Sequence, residues 1–255
     1  MALEWYQKAL SAFEKALGKG HLDTATVYDS IALVHHIQGD YTMALEGYRN
    51  ALTIYEKTLG KEHQSTATVF GSIALVYDDQ GDYATALEWY LKAVSVFEKT
   101  LGMGHPDTIT TYNNIADVHR KQGDCPSALA WYQKALAVDN NELGEGHPDT
   151  AAIYEGIALV YYEQGDFPMA LEWLQKGFPI RERVQGEEHP DTATTYYQIA
   201  CVYDSQGDYS TALDWYRKAL GTIEKVYGKE DPYYLDIESR IAEIAEINGS
   251  IDNDA

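Results

Sequence analysis

Five of the eight histidines, His21, His63, His105, His147 and His189, stand 42 residues apart. Imidazole is the commonest metal ligand and the usual acid–base group near neutral pH. At this spacing, however, the rings form a row along successive units, too far apart to share an ion, so they are read as helix-start residues. The stretch Asp139-Asn140-Asn141-Glu142-Leu143-Gly144 has the look of a calcium loop. It fails at Leu143, where an oxygen ligand is needed, and at Thr150, where a bidentate glutamate belongs. No phosphate-binding glycine loop, nucleophile elbow or zinc-protease helix occurs. The expectation is a protein that is not an enzyme and takes no cofactor and no metal.

The charge balance narrows the partners. Forty acidic against nineteen basic residues give a net charge of −21. That excess excludes nucleic acid, whose phosphates need a basic footprint, and an anionic membrane surface. Hydrophobic residues at 45% are enough for a packed core. Cys125 and Cys201 lie 76 residues apart and suggest neither a disulfide framework nor a zinc site. With no apolar run of about 18 residues and no leader pattern, a cytoplasmic setting is expected.

The elements that position these residues repeat with the histidines. Gly39-Asp40, Gly81-Asp82, Gly123-Asp124, Gly165-Asp166 and Gly207-Asp208 keep the same 42-residue step, as do Gly18, Gly60, Gly102, Gly144, Gly186 and Gly228. In one unit, His105-Pro106-Asp107-Thr108 opens a helix A whose Tyr112, Ile115, Ala116 and His119 share a face. Proline suits a first helical turn, and aspartate meets the positive end of the helix dipole. Gly123 ends that helix in a left-handed cap and Asp124 caps helix B, which Gly144 stops. His35 and His119 are read as core residues. Pro179, mid-helix after Gly177-Phe178, predicts a kink or break near residues 175–179. The Trp series (Trp5, Trp89, Trp131, Trp173, Trp215), with Gly47 as its one gap, is read as packing.

Ile31-Ala32, Ile73-Ala74, Ile115-Ala116, Ile157-Ala158 and Ile199-Ala200 in helix A, with Ala44/Tyr48/Ala51, Ala86/Tyr90/Ala93 and Ala212/Tyr216/Ala219 in helix B, resemble the tetratricopeptide repeat. The usual period is about 34 residues. The longer form here, with Asn113-Asn114, is similar to the repeats of kinesin light chains. The resemblance implies an all-α, right-handed superhelical solenoid of antiparallel helix pairs, about twelve helices in all. A single array is expected over 1–247: a lone helix B at 2–17, five pairs over 22–228 and a final helix A at 232–247. Residues 248–255 read as a flexible polar tail.

The resemblance also implies a concave groove lined by helices A, binding a peptide or helix of a partner protein. Carried over position by position, its inward candidates are Asp29, Gly71, Asn113, Glu155 and Tyr197, then Leu33, Leu75, Asp117 and Leu159, then His36, Asp78, Arg120, Tyr162 and Asp204. Their acidic bias around leucines predicts a basic ligand with apolar anchors. Alternative readings are the repeat arm of a larger signalling or sensor protein, and a kinesin-light-chain-like cargo adaptor. The opening helix leaves Ala2, Leu3, Tyr6, Ala9 and Leu10 without their usual cover, which predicts missing upstream sequence or contacts with another chain through that face.

Overall fold

A computed structural model of the chain describes residues 2–142 and 146–251. Among the described residues there are twelve helices and no strand. They are α1 (Ala2–Leu17), α2 (Leu22–Ile37), α3 (Tyr41–Thr58), α4 (Gln64–Asp79), α5 (Tyr83–Thr100), α6 (Pro106–Lys121), α7 (Cys125–Glu142), α8 (Pro148–Glu163), α9 (Phe167–Gln185), α10 (Pro190–Ser205), α11 (Tyr209–Tyr227) and α12 (Pro232–Ile251). The even-numbered helices are of type A. α12 runs four residues past its expected end at 247, so 248–251 are helical and not tail. Residues 252–255 lie outside the described residues, as do the Gly144 helix stop and Leu143 of the calcium-like stretch, whose residues 139–142 are the end of α7. The helices group into two compact units, Met1–Val138 and Asp139–Ala255.

The repeated residues are the joints between helices. Each row histidine is the N-cap of its helix A: Nδ1 of His21, His63, His105, His147 and His189 accepts the backbone N–H two residues on, at 3.1 to 3.3 Å. The ring does here what a serine or aspartate oxygen does at other helix starts. The threonine three residues further on is fully buried and reaches back. Oγ1 of Thr24, Thr66, Thr108 and Thr192 donates to the carbonyl of the preceding stop glycine at 2.8 to 3.0 Å. At the other end of helix A, Gly39 takes φ +76. Its N–H donates to the His36 carbonyl while that of Asp40 donates to His35, each at 2.9 Å, which satisfies two end carbonyls. Asp40, Asp82, Asp124, Asp166 and Asp208 then cap the following helix B at 3.2 Å.

Within a pair, small residues set the distance and aromatics fill it. Ala32, Ala74, Ala116, Ala158 and Ala200 are 0 to 1% exposed, and so are Tyr48, Tyr90 and Tyr132 on helix B. Burial of one such aromatic contributes about 2–3 kcal/mol. The tryptophans of helix B lie on the ring of helix A in the same pair: Trp89 on Phe70, Trp131 on Tyr112, Trp173 on Tyr154 and Trp215 on Tyr196, centroids 5.6 to 5.7 Å apart. The lysine three residues on covers each of those indoles at 4.0 to 4.8 Å. Gly47 breaks the series at a close approach of α3 to α2. A Cβ there would come within 2.8 Å of the Ala32 Cβ. Its i+3 neighbour is Asn50 and not lysine, so the cation is absent where its ring is absent.

The expected break at Pro179 does not occur: α9 is continuous helix from Phe167 to Gln185. Gln175 and Pro179 both face solvent, so the Gln175 carbonyl that loses its intrahelical donor remains open to water. Gly177 serves close packing instead of weakening the helix, because its Cα faces the Ala151 carbonyl and the Tyr154 Cβ, where a Cβ would sit at 3.3 and 3.4 Å.

Candidate functional site

The predicted groove positions all lie on helices A, several of them in contact with helices B, and the two units are described separately. In the first unit, Asp29, Gly71 and Asn113 occupy one register position on α2, α4 and α6. The Asp29 Oδ1 and Asn113 Oδ1 atoms are shut off from water and accept no hydrogen bond. Burial raises the Asp29 carboxyl above its ordinary range. Between them Gly71 leaves open space, with nothing within 4 Å of a would-be Cβ. Leu33 and Leu75, one turn on, are 49% and 40% exposed.

The third row, at the helix ends, is closed by pairs that link successive repeats. His36 Nε2 meets Asp79 Oδ2 at 2.7 Å, one repeat and one residue further along. Lys121 Nζ donates to both oxygens of Asp78 at 2.9 Å across the same interval. Asp117 accepts from the Tyr132 hydroxyl at 2.7 Å and from Arg120 at 3.4 Å. Asp78 is 8% exposed and committed to its lysine. The acidic field expected here is therefore largely neutralised from within.

The second unit brings three of the predicted positions together with Cys201. Leu159, Tyr162, Tyr197 and Cys201 line a mostly apolar pocket of about 260 Å³ between α8 and α10, with Leu174 at its wall and Gln198 beside it. The Gln198 Oε1 atom is buried without a partner. Burial also raises the Cys201 thiol, which makes it a poor nucleophile. Tyr162 hydrogen-bonds Ser205 at 2.9 Å, and Tyr197 donates to Asp236 at 3.2 Å.

Two acidic candidates in this unit are turned inward. Glu155 is 9% exposed. It takes Arg181 Nε and Nη2 at 3.0 and 2.9 Å and the Thr195 hydroxyl at 2.6 Å. Asp204 receives Arg240 Nε and Nη2, each at 2.7 Å, and the Tyr216 hydroxyl at 3.0 Å. Arg240 holds its carboxyl below the ordinary range, against the opposing effect of burial. The remaining Arg240 nitrogen, Nη1, donates to Glu243.

Sequence reasoning missed Arg181, Thr195, Leu174 and Gln198. Arg181 carried a partial signal: its register is Tyr55, Phe97 and Ile223 in three other repeats, though Asp139 in a fourth, so an arginine there called for a carboxylate partner. Among the described residues, no group of three or more His, Cys, Asp or Glu side chains could hold a metal ion, and no helix is long and apolar enough to cross a membrane.

Stacked antiparallel helix pairs with a constant frame and a variable helix A face define a helical-repeat protein. The tetratricopeptide-repeat signature matches residues 1–46, 26–99, 71–141, 107–183 and 149–225, and the chain belongs to that family. No curated protein sequence matches it. Among solved structures it is similar to BtubC (BKLC) from P. vanneervenii, with 22% identity, 89% of this chain and 93% of that one covered, and a TM-score of 0.71. A Podosopora anserina kinesin-light-chain-type protein with nearly identical TPR-like repeats shares 22% identity over 81% of this chain and 98% of that one, at a TM-score of 0.63. The Rap conjugation gene regulator of plasmid pLS20, solved with the Phr* peptide, shares 17% identity over 79% of this chain and 53% of that one, at a TM-score of 0.68. At these identities the likeness is one of fold.

Proposed function

We propose that this chain is a protein-interaction scaffold, not a catalyst, and that the exposed faces of its helices A bind a peptide or helix of a partner protein. The observations that carry the reading are the exposed Leu33 and Leu75 beside the open space at Gly71, and the apolar pocket of the second unit. Leu33 and Leu75 would contact apolar anchors in the first unit, and one apolar side chain would enter the pocket of Leu159, Tyr162 and Tyr197 in the second. A Rap regulator of similar fold, solved with a peptide, supports this mode.

A basic ligand fits a chain of charge −21. Its steering would come from the whole surface, because Asp78, Glu155 and Asp204 already hold cations of the chain. The test is anisotropy titration of labelled basic and acidic peptides carrying leucine or aromatic anchors, at low and high salt. Basic peptides should bind more tightly and weaken with salt. Leu159→Arg should reduce affinity at least tenfold at unchanged melting temperature. Tighter binding of acidic peptides would overturn the charge assignment. Indifference to both Leu159→Arg and Leu33→Arg would overturn the groove.

A further inference from the structure

A tyrosine of helix A latches successive repeats together at one seam, and inside the first unit one repeat lacks the latch. Tyr28 donates its hydroxyl to Glu14 at 2.7 Å, Tyr112 to Glu98 at 2.6 Å and, in the second unit, Tyr196 to Glu182. Each glutamate lies on the preceding helix B. Lys134 adds a second donor to Glu98 at 2.8 Å. The corresponding residues one repeat earlier are Phe70, Glu56 and Lys92. Phe70 has no hydroxyl to give, and Lys92 lies over the Trp89 ring at 4.0 Å, so half-buried Glu56 receives neither donor. The seam there holds a groove of about 780 Å³ along α5, with Phe70, Trp89 and Val96 as its apolar lining. Leu91 stands at the groove and is 47% exposed. Its register is Arg49, Gln133, Gln175 and Arg217 in the other repeats. An apolar side chain faces water only where the latch is missing.

We infer that this groove is where two copies of the chain meet about a twofold axis, Leu91 of each entering the groove of the other. Two features of the patch select a second copy as the occupant. The first is shape: projection and hollow lie side by side on one surface, which is the self-complementarity a twofold contact requires. The second is charge. Glu56, Glu62 and Glu88 are matched around the groove by Lys61, Lys92 and Lys99. A chain of net charge −21 repels its own copy over most of its surface, so self-contact is favoured where the two signs balance. A strongly acidic or strongly basic partner would set three like charges against its own, whereas a second copy brings both signs. An ammonium of that copy supplies the donor that Glu56 lacks. Because each copy uses the same patch once, the contact closes at a dimer. The surface lies on the helix B side and is separate from the helix A positions proposed to bind a peptide.

Sedimentation velocity on the 255-residue chain across a concentration series tests this, with thermal melting alongside. The wild type should pass from monomer to dimer and go no further. Leu91→Arg should weaken association at least about tenfold at unchanged melting temperature, because arginine is the native residue at this register in two other repeats. Phe70→Tyr separates a docking role from a structural one. Its hydroxyl restores the bond to Glu56 that the other repeats make, so it should raise the melting temperature by a few degrees while weakening the dimer. A wild type that stays monomeric at every concentration overturns the inference, as does one that grows beyond a dimer. So does a Leu91→Arg variant that dimerises like the wild type, or a Phe70→Tyr variant that gains stability and associates as before.

Discussion

Arg181→Met should be among the most damaging single changes in this protein. The guanidinium side chain is 9% exposed and forks onto both oxygens of Glu155, itself 12% exposed at the side chain, with N–O distances of 2.9 and 3.0 Å. Methionine keeps much of the volume but leaves Glu155 buried as an anion with only the Thr195 hydroxyl against it. Breaking a buried pair on one side costs about 3–5 kcal/mol. In a unit of this size that lowers the melting temperature by more than about 10 °C. Removing both charges, as Glu155→Leu with Arg181→Met, should return stability to within about 2 kcal/mol of the wild type, because the cost of desolvating the pair disappears as well. Thr195 keeps an acceptor in that variant, since its Oγ1 already lies 3.1 Å from the Asp191 carbonyl. Urea unfolding of the wild type, both single variants and the double gives the coupling energy directly. Peptide titration of the double variant should match the wild type, because Glu155 serves the frame. A single-variant cost below about 1 kcal/mol, or a double variant that is stable yet fails to bind peptide, would refute the reasoning.

Other consequences follow from the same geometry. Pro179→Ala should stabilise the second unit by up to about 3 kcal/mol, since it restores a helical N–H to an otherwise unbroken α9; thermal melting reads the gain. His105→Ala should cost about 1 kcal/mol through loss of the N-cap, while His105→Asn should retain most of it. The Asp204 carboxyl is depressed in the folded state, so its contribution is present above the unfolded carboxylate pKa of about 4 and lost as pH falls through the lower folded value. Asp204→Asn should therefore destabilise the protein at neutral pH and flatten its acid unfolding curve, as chemical denaturation along a pH series would record. Asp29 has the opposite sign. Its raised carboxyl favours the fold below the unfolded pKa, and that contribution is lost as pH rises through the folded value, so Asp29→Asn should stabilise at neutral pH.

The sequence by itself determined the frame. Its joints are local: a histidine N-cap, a glycine with φ near +76 and an aspartate cap each act within six residues, so their spacing announces every helix end. The alanine and aromatic positions were legible for a related reason, because a period of 42 shows which residues must do the same work in each pair. Helix continuity through Pro179 was not legible. It depends on Gln175 and Pro179 both facing water, a property of how α9 sits and not of the local string. The groove was legible as positions but not as chemistry. Asp78, Glu155 and Asp204 read as ligand contacts in one dimension, and each found its cation 26 to 43 residues away on another helix. A carboxylate entering a low-dielectric contact must be paired, and which side chain arrives to pair it is fixed by the packing of whole helices. Tertiary structure alone decided that Asp78, Glu155 and Asp204 pair within the frame, while Leu33 and Leu75 stay exposed and a tyrosine-lined apolar pocket forms between α8 and α10.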